Sequence, residues 1–163
     1  MRIAAALGFA LLLSACGLRP LYGGGQQQEV VATLSEIEIA PIEGRAGWLV
    51  RTALQDRLRA AGEGSPRYRL RVELDDEISG FGLRADNAVT RERRTLRARY
   101  QLTDAALGTV LLDATAGSDA GIDVVSSEYA TVAAEETALE RLSAEIADQI
   151  VARVALYATR TEP

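Results

Sequence analysis

The chain has 163 residues, 48% of them hydrophobic, with 18 basic and 23 acidic side chains, a net charge of −5, one cysteine and no histidine. That is enough apolar material for the core of one domain. The absence of histidine excludes a histidine-dependent triad and a histidine metal site, and a lone Cys16 excludes an intramolecular disulfide. Every basic side chain is arginine, and the charge is unevenly spread: residues 45–99 carry 13 Arg against 8 acids, whereas residues 100–163 carry 3 against 11. A basic middle segment followed by an acidic third marks an anionic partner or a solvated surface.

Met1-Arg2 is a short positive start, and residues 3–13 contain Ile, Ala, Leu, Gly and Phe alone. This is the apolar region of a signal peptide, too short for the roughly 20 residues that cross a bilayer as a helix. Leu13-Ser14-Ala15-Cys16 matches the bacterial lipobox, an aliphatic residue and two small ones before the cysteine that is acylated. The expectation is a signal peptide over 1–15 that is removed, and lipid attachment at Cys16. Several acyl chains at about 0.8 kcal/mol per buried methylene hold a protein stably on a membrane. Resemblance to Gram-negative lipoproteins adds that Gly17, in place of the Asp that retains such proteins in the inner membrane, points to the periplasmic side of the outer membrane. Export and net acidity argue against nucleic acid.

Residues 16–29, with Pro20, the Gly23-Gly24-Gly25 run and three glutamines, read as a lipidated N-terminus and flexible tether, and residues 30–163 as a single α+β domain. Glu36 to Ile39 alternates polar and apolar, a strand ended by Pro41. Val50, Leu54, Leu58 and Ala61 share one face of a helix over 45–61 that stops at Gly62. Tyr68, Leu70, Val72 and Leu74 alternate with Arg67, Arg69, Arg71 and Glu73 in a second strand over 66–75. A turn-rich stretch, 79–87, leads to a third strand over 90–102, with Leu96, Ala98, Tyr100 and Leu102 on one side and Arg91, Arg93, Arg97 and Arg99 on the other. Phe81, between two glycines, is either a contact residue at a hairpin tip or a side chain folded back on the core, and the second reading is preferred. A fourth strand covers 109–116, and residues 118–127 either prolong it past a bulge or form a loop. The last element is a helix over 128–158, with Ser126 or Ser127 as N-cap and an apolar stripe from Tyr129 and Val132 through Leu139, Leu142, Ile146, Ile150, Val154 and Tyr157. The order β-α-β-β-β-α predicts an α+β fold, two helices packed on one face of a four-stranded sheet.

With this element order, the start Cys16-Gly17-Leu18-Arg19-Pro20-Leu21-Tyr22, the stretch Tyr68-Arg69-Leu70-Arg71-Val72, the strand ending Tyr100-Gln101-Leu102, and Ser127-Glu128-Tyr129-Ala130 resemble the lipopolysaccharide-assembly lipoprotein family LptE in its alphaproteobacterial form. The resemblance spans nearly the whole chain after Cys16. It implies a non-enzymatic outer-membrane lipoprotein that plugs the β-barrel LptD, helps it assemble and takes part in inserting lipopolysaccharide. The polar lumen of a large barrel suits a domain with a charged face. The alternative is another periplasm-facing lipoprotein adaptor, such as an accessory subunit of a lipid transporter.

The candidate contact residues for lipopolysaccharide or partner are the two arginine stripes, Arg67, Arg69 and Arg71, and Arg91, Arg93, Arg97 and Arg99. Paired as a hairpin, they would lie side by side, and the planar guanidinium fork binds phosphate in bidentate fashion. The competing reading is a solvated sheet face neutralised by acids on neighbouring strands. Carboxylate pairs such as Asp75 and Asp76 or Glu135 and Glu136 are weak candidates for acid/base catalysis, since adjacent residues point to different sides of a strand or helix. No catalytic residue, metal site or cofactor is expected beyond the lipid on Cys16.

Overall fold

The computed structural model of the protein describes residues 25–62, 64–83 and 89–160. Cys16 and the segment read as a signal peptide lie outside the described residues. The elements, in chain order, are α1 (Gly25–Ser35), β1 (Ile37–Ile39), α2 (Gly44–Arg59), β2 (Tyr68–Leu83), β3 (Val89–Asp104), β4 (Val110–Asp123) and α3 (Glu128–Ala158). The sheet order is β1-β2-β3-β4, with β1 parallel to β2 and the other pairs antiparallel. The α+β architecture expected from the sequence is present, with one helix more than the periodicity revealed.

That helix, α1, corrects the boundary of the tether, since residues 25–29 are helical. Gln and Glu are good helix formers, and Val30 and Leu34, four residues apart, pack into the core. Ser35 and Glu36 then tie the chain to the start of β2: Gly64 donates to the Ser35 carbonyl at 3.0 Å and Arg67 to that of Glu36 at 2.9 Å.

In α2 the buried side chains are Val50, Leu54 and Leu58, the stripe read from the sequence. Gly47 is buried beside them because a Cβ there would stand 2.7 Å from the backbone carbonyl group of Ile42, so only glycine lets the helix fold back this tightly. The two long helices run parallel. Arg45 pairs with Glu136 and Arg57 with Asp148, both 91 residues apart in sequence, which fixes the register of α2 on α3. Arg57 Nε and Nη2 reach the two carboxylate oxygens of Asp148 at 2.6 and 2.9 Å, while Nη1 donates to the Ala53 carbonyl at 2.9 Å.

β2, β3 and β4 are 16, 16 and 14 residues long, well beyond the lengths expected. The turn-rich stretch beginning at Ser79 is part of the ladder: Ser79 pairs with Arg93, Gly80 with Glu92 and Phe81 with Arg91. β4 likewise runs on to Asp123, with Ala120 and Ile122 on the core side, so residues 118–123 extend the strand. The register shift lies elsewhere, between Leu102 and Thr103. At the β3–β4 turn the Asp104 carboxylate accepts from the Ala106 and Leu107 amides at 2.9 Å each, closing a tight Asx-type turn.

The helices cover one face of the sheet. Leu70, Val72, Leu96, Ala98, Tyr100, Leu102, Ala116, Ala120 and Ile122 meet α2 and α3 there, with Leu139, Leu142, Ile146 and Ile150 almost completely buried. Alanines on the sheet and at 138 and 147 on the helix let α3 approach β4 closely. Ser127 caps α3, its hydroxyl accepting from the Ala130 amide at 3.4 Å. Tyr129 and Val132 depart from the expected stripe: they are 86% and 49% exposed, because the first turns of α3 run past the packed layer.

Candidate functional site

The face of the sheet turned away from the helices is open among the described residues, and the arginine stripes lie on it. On β2 it carries Arg69, Arg71, Glu73, Asp75, Glu77, Ser79 and Phe81, on β3 Arg91, Arg93, Thr95, Arg97, Arg99 and Gln101, and on β4 Asp113, Thr115, Gly117, Asp119, Gly121 and Asp123. β2 and β3 pair as a hairpin, yet the register keeps the stripes apart. Arg69 and Arg71 face Thr103 and Gln101 at one end, while Arg97 and Arg99 face Asp75 and Glu73, and Arg91 and Arg93 face Phe81 and Ser79 at the other end. The stripes meet only diagonally, at Arg71 and Arg99.

Charge on flanking strands neutralises part of this set. Arg69 pairs with Glu38 at 3.1 Å, Arg91 with Asp123 at 2.9 Å, and Arg99 with Asp113 at 2.9 Å. The Arg99 guanidinium, helped by the Gln101 amide at 2.9 Å, holds the Asp113 carboxyl below the usual carboxylate range, and Asp113 in turn raises Arg99. These pairs are exposed and contribute little individually to stability.

The other four arginines have no carboxylate partner among the described residues. Arg67 lies over the Tyr68 ring with 5.4 Å to the centroid, and Arg93 over the Phe81 ring at the same distance. Phe81 is thus a half-exposed platform on the open face, 41% accessible, and not a side chain folded into the core. Arg97 donates to the Ser118 carbonyl at 3.1 Å, crossing β4 at Gly117, where a Cβ would stand 2.7 Å from its Cδ. Arg71 makes no hydrogen bond or ion pair with a described residue. A shallow depression of about 690 Å3 opens at the centre of the face, bordered by Glu73, Asp75, Arg97, Arg99, Thr115 and Gln149.

A second polar group lies on the helix side of the sheet, and sequence reasoning missed it. Arg94 follows Arg93 and so points the other way, under α3. It is 12% exposed, meets the two Asp76 carboxylate oxygens at 2.8 and 2.6 Å, and donates to the Glu135 carbonyl at 2.9 Å. Glu92 is beside it, with Oε2 buried and without a hydrogen-bond partner among the described residues. Desolvation, and then the charge of Glu135, push the Glu92 carboxyl up. The signal was the break in alternation at Arg93-Arg94, which puts one charge of the pair on each face. The carboxylate pairs weighed as catalytic are split in the way adjacent residues must be: Asp76 binds Arg94 and Glu136 binds Arg45, while Asp75 is on the open face. Among the described residues no cluster of acidic side chains is arranged to hold a metal ion.

The model of the lipopolysaccharide-assembly family LptE matches residues 34–154. The chain belongs to that family. LptE is a family of non-enzymatic proteins of lipopolysaccharide assembly in the Gram-negative envelope, and that is the process in which the family places this chain. Among solved structures, a candidate lipoprotein from Caulobacter crescentus CB15 is 28% identical, with a TM-score of 0.68 over 82% of this chain and 98% of that one. Rare lipoprotein B from Shewanella oneidensis, at 14% identity, shares the fold with a TM-score of 0.62 over 78% of this chain and 98% of its own. A minor lipoprotein from Acinetobacter baumannii does so at 15% identity and a TM-score of 0.61, over 75% and 92%. No curated protein sequence matches the chain.

Proposed function

We propose that this LptE-family protein is held by lipid on Cys16 at the periplasmic side of the outer membrane, where it plugs the LptD barrel, helps it assemble and takes part in inserting lipopolysaccharide. The observation that carries the proposal is the family match over residues 34–154 joined to an open, highly charged sheet face. A face of alternating arginine and carboxylate suits the polar wall of a large barrel lumen and would be expelled from lipid. Within it Arg71, Arg93 and Arg97, and just before β2 Arg67, keep guanidinium groups uncommitted to carboxylates, the donors that phosphates of lipopolysaccharide require. Arg69, Arg91 and Arg99 would reach a ligand only by giving up their present partners.

Depletion of the protein in cells is expected to lower both surface lipopolysaccharide and correctly assembled barrel. Normal levels of both would overturn the proposal, and in-cell crosslinking dominated by an inner-membrane transporter would favour the adaptor reading. Replacing Arg67, Arg71, Arg93 and Arg97 together by Gln should weaken lipopolysaccharide binding more than the same change at Arg69, Arg91 and Arg99. Cys16→Ala should release the protein from the membrane fraction.

A further inference from the structure

β2 is an edge strand for most of its length. β1 pairs with it only over Tyr68, Arg69 and Leu70, and a last bond runs from the Ala40 amide to the Leu70 carbonyl at 2.9 Å. Pro41 follows, without a donor to offer, and the chain turns away into α2. Tyr68 and Leu70 turn their backbone groups toward β1, Tyr68 donating to the Glu36 carbonyl at 3.1 Å. By the alternation of a strand, Leu74, Asp76, Ile78 and Gly80 present theirs on the same side, past the end of β1. No backbone hydrogen bond to a described residue satisfies them there.

The opposite edge of the sheet is handled differently. On β4 the Gln149 carboxamide both accepts from the Gly117 amide and donates to the Gly117 carbonyl, at 3.2 Å each, and so stands in for a neighbouring strand. Glu145 takes the Ser118 hydroxyl beside it. The β2 edge has no such surrogate among the described residues. What borders it is negative charge: Glu73, Asp75 and Glu77 alternate along the open face and form no ion pair with a described residue. Their cross-strand neighbours Arg97 and Arg99 are drawn to β4 instead, by the Ser118 carbonyl and Asp113.

We propose that the β2 edge from Leu74 to Gly80 is a strand-addition site for an extended, basic segment of a partner protein. Its backbone continues the ladder where β1 stops, and its Lys or Arg side chains meet Glu73, Asp75 and Glu77. A second copy of this chain is a poor occupant, because pairing β2 with β2 sets the same three carboxylates against one another. The charge that repels a copy attracts a basic strand, so one feature supplies both specificity and protection against aggregation.

The test uses the purified full-length lipoprotein in detergent micelles and a peptide of about ten alternating Lys and Val residues, with a Glu–Val peptide as control. The Lys–Val peptide is expected to slow amide exchange at 74, 76, 78 and 80 and to bind about tenfold more tightly than the control. Ile78→Pro removes a donor that faces the open edge and none of the bonds to β3, so it should lose that protection and about tenfold in affinity while keeping the fold. Reversing charge with Glu73→Lys, Asp75→Lys and Glu77→Lys should transfer the preference to the Glu–Val peptide. Binding that leaves the edge amides unprotected, binding unchanged by Ile78→Pro, failure of both peptides to bind, or protection that rises with protein concentration alone each overturns the proposal.

Discussion

Arg94 sits on the helix side of β3, where alternation ordinarily places an apolar residue, and it holds together groups that would otherwise repel. Its side chain is 12% exposed and that of its partner Asp76 24%, so both ends of the pair are largely withdrawn from water. Arg94→Ala leaves Asp76 without its counter-charge, removes the donor to the Glu135 carbonyl, and leaves Glu92 and Glu135 facing each other uncompensated. Removing one member of a buried pair costs about 3–5 kcal/mol, and the residual exposure of Asp76 places this case near the lower end, at about 3 kcal/mol. At this chain length that corresponds to a fall in Tm of about 6–12 °C. Asp76→Asn keeps an acceptor in place and should cost about 1–2 kcal/mol. Arg94→Ala with Asp76→Asn removes both charges and should be more stable than the sum of the single losses implies. The measurement is urea unfolding followed by far-UV circular dichroism on all three variants. A loss below about 1 kcal/mol for Arg94→Ala, or strictly additive losses in the double variant, would refute the reasoning.

Glu92 should act as a pH-dependent liability: its folded pKa lies above the unfolded value, so the native state holds the extra proton and stability falls as pH rises through that window. Glu92→Gln is therefore expected to raise the urea midpoint at pH 7 and to flatten its decline between acidic and neutral pH. Asp148 has the opposite sign, since its bond to Arg57 lowers its pKa and the stability it supplies is lost as pH falls through the folded value. Its side chain is 67% exposed, so Asp148→Asn should cost only about 0.5–1 kcal/mol at pH 7 and less in acid, as read from thermal melts across pH. Gly47→Ala pits a better helix former against a 2.7 Å approach to the Ile42 backbone, and the clash should win by about 1–3 kcal/mol in the same urea assay.

Periodicity carried much of the fold. The spacing of Val50, Leu54 and Leu58, the alternation around Leu70 and Val72 and around Leu96 to Leu102, and the long stripe from Leu139 to Val154 each name the face that is buried, because burial of that face is what makes the element stable. Composition misled where a partner overrode local preference. Ser79, Gly80 and Gly82 are turn formers, yet the ladder with β3 satisfies the backbone of Ser79 and Phe81 and keeps the segment in a strand, and Gly25 to Gln28 sit in a helix that Leu34 anchors.

The arginine stripes mark the division most clearly. That Arg69, Arg71, Arg91, Arg93, Arg97 and Arg99 share the outward face follows from alternation alone. Whether those charges add up is a matter of register and of which acids the neighbouring strands bring across, and these are set by hydrogen bonds between segments far apart in the chain. Register separates the two stripes, Glu38, Asp113 and Asp123 neutralise three arginines, and Asp76 claims the buried Arg94. The same holds for the unpaired edge of β2: Pro41 shows in the sequence that β1 must end, but that Gln149 caps Gly117 while no described residue caps Leu74 to Gly80 is a consequence of packing, since an edge is defined by the strand that is absent beside it.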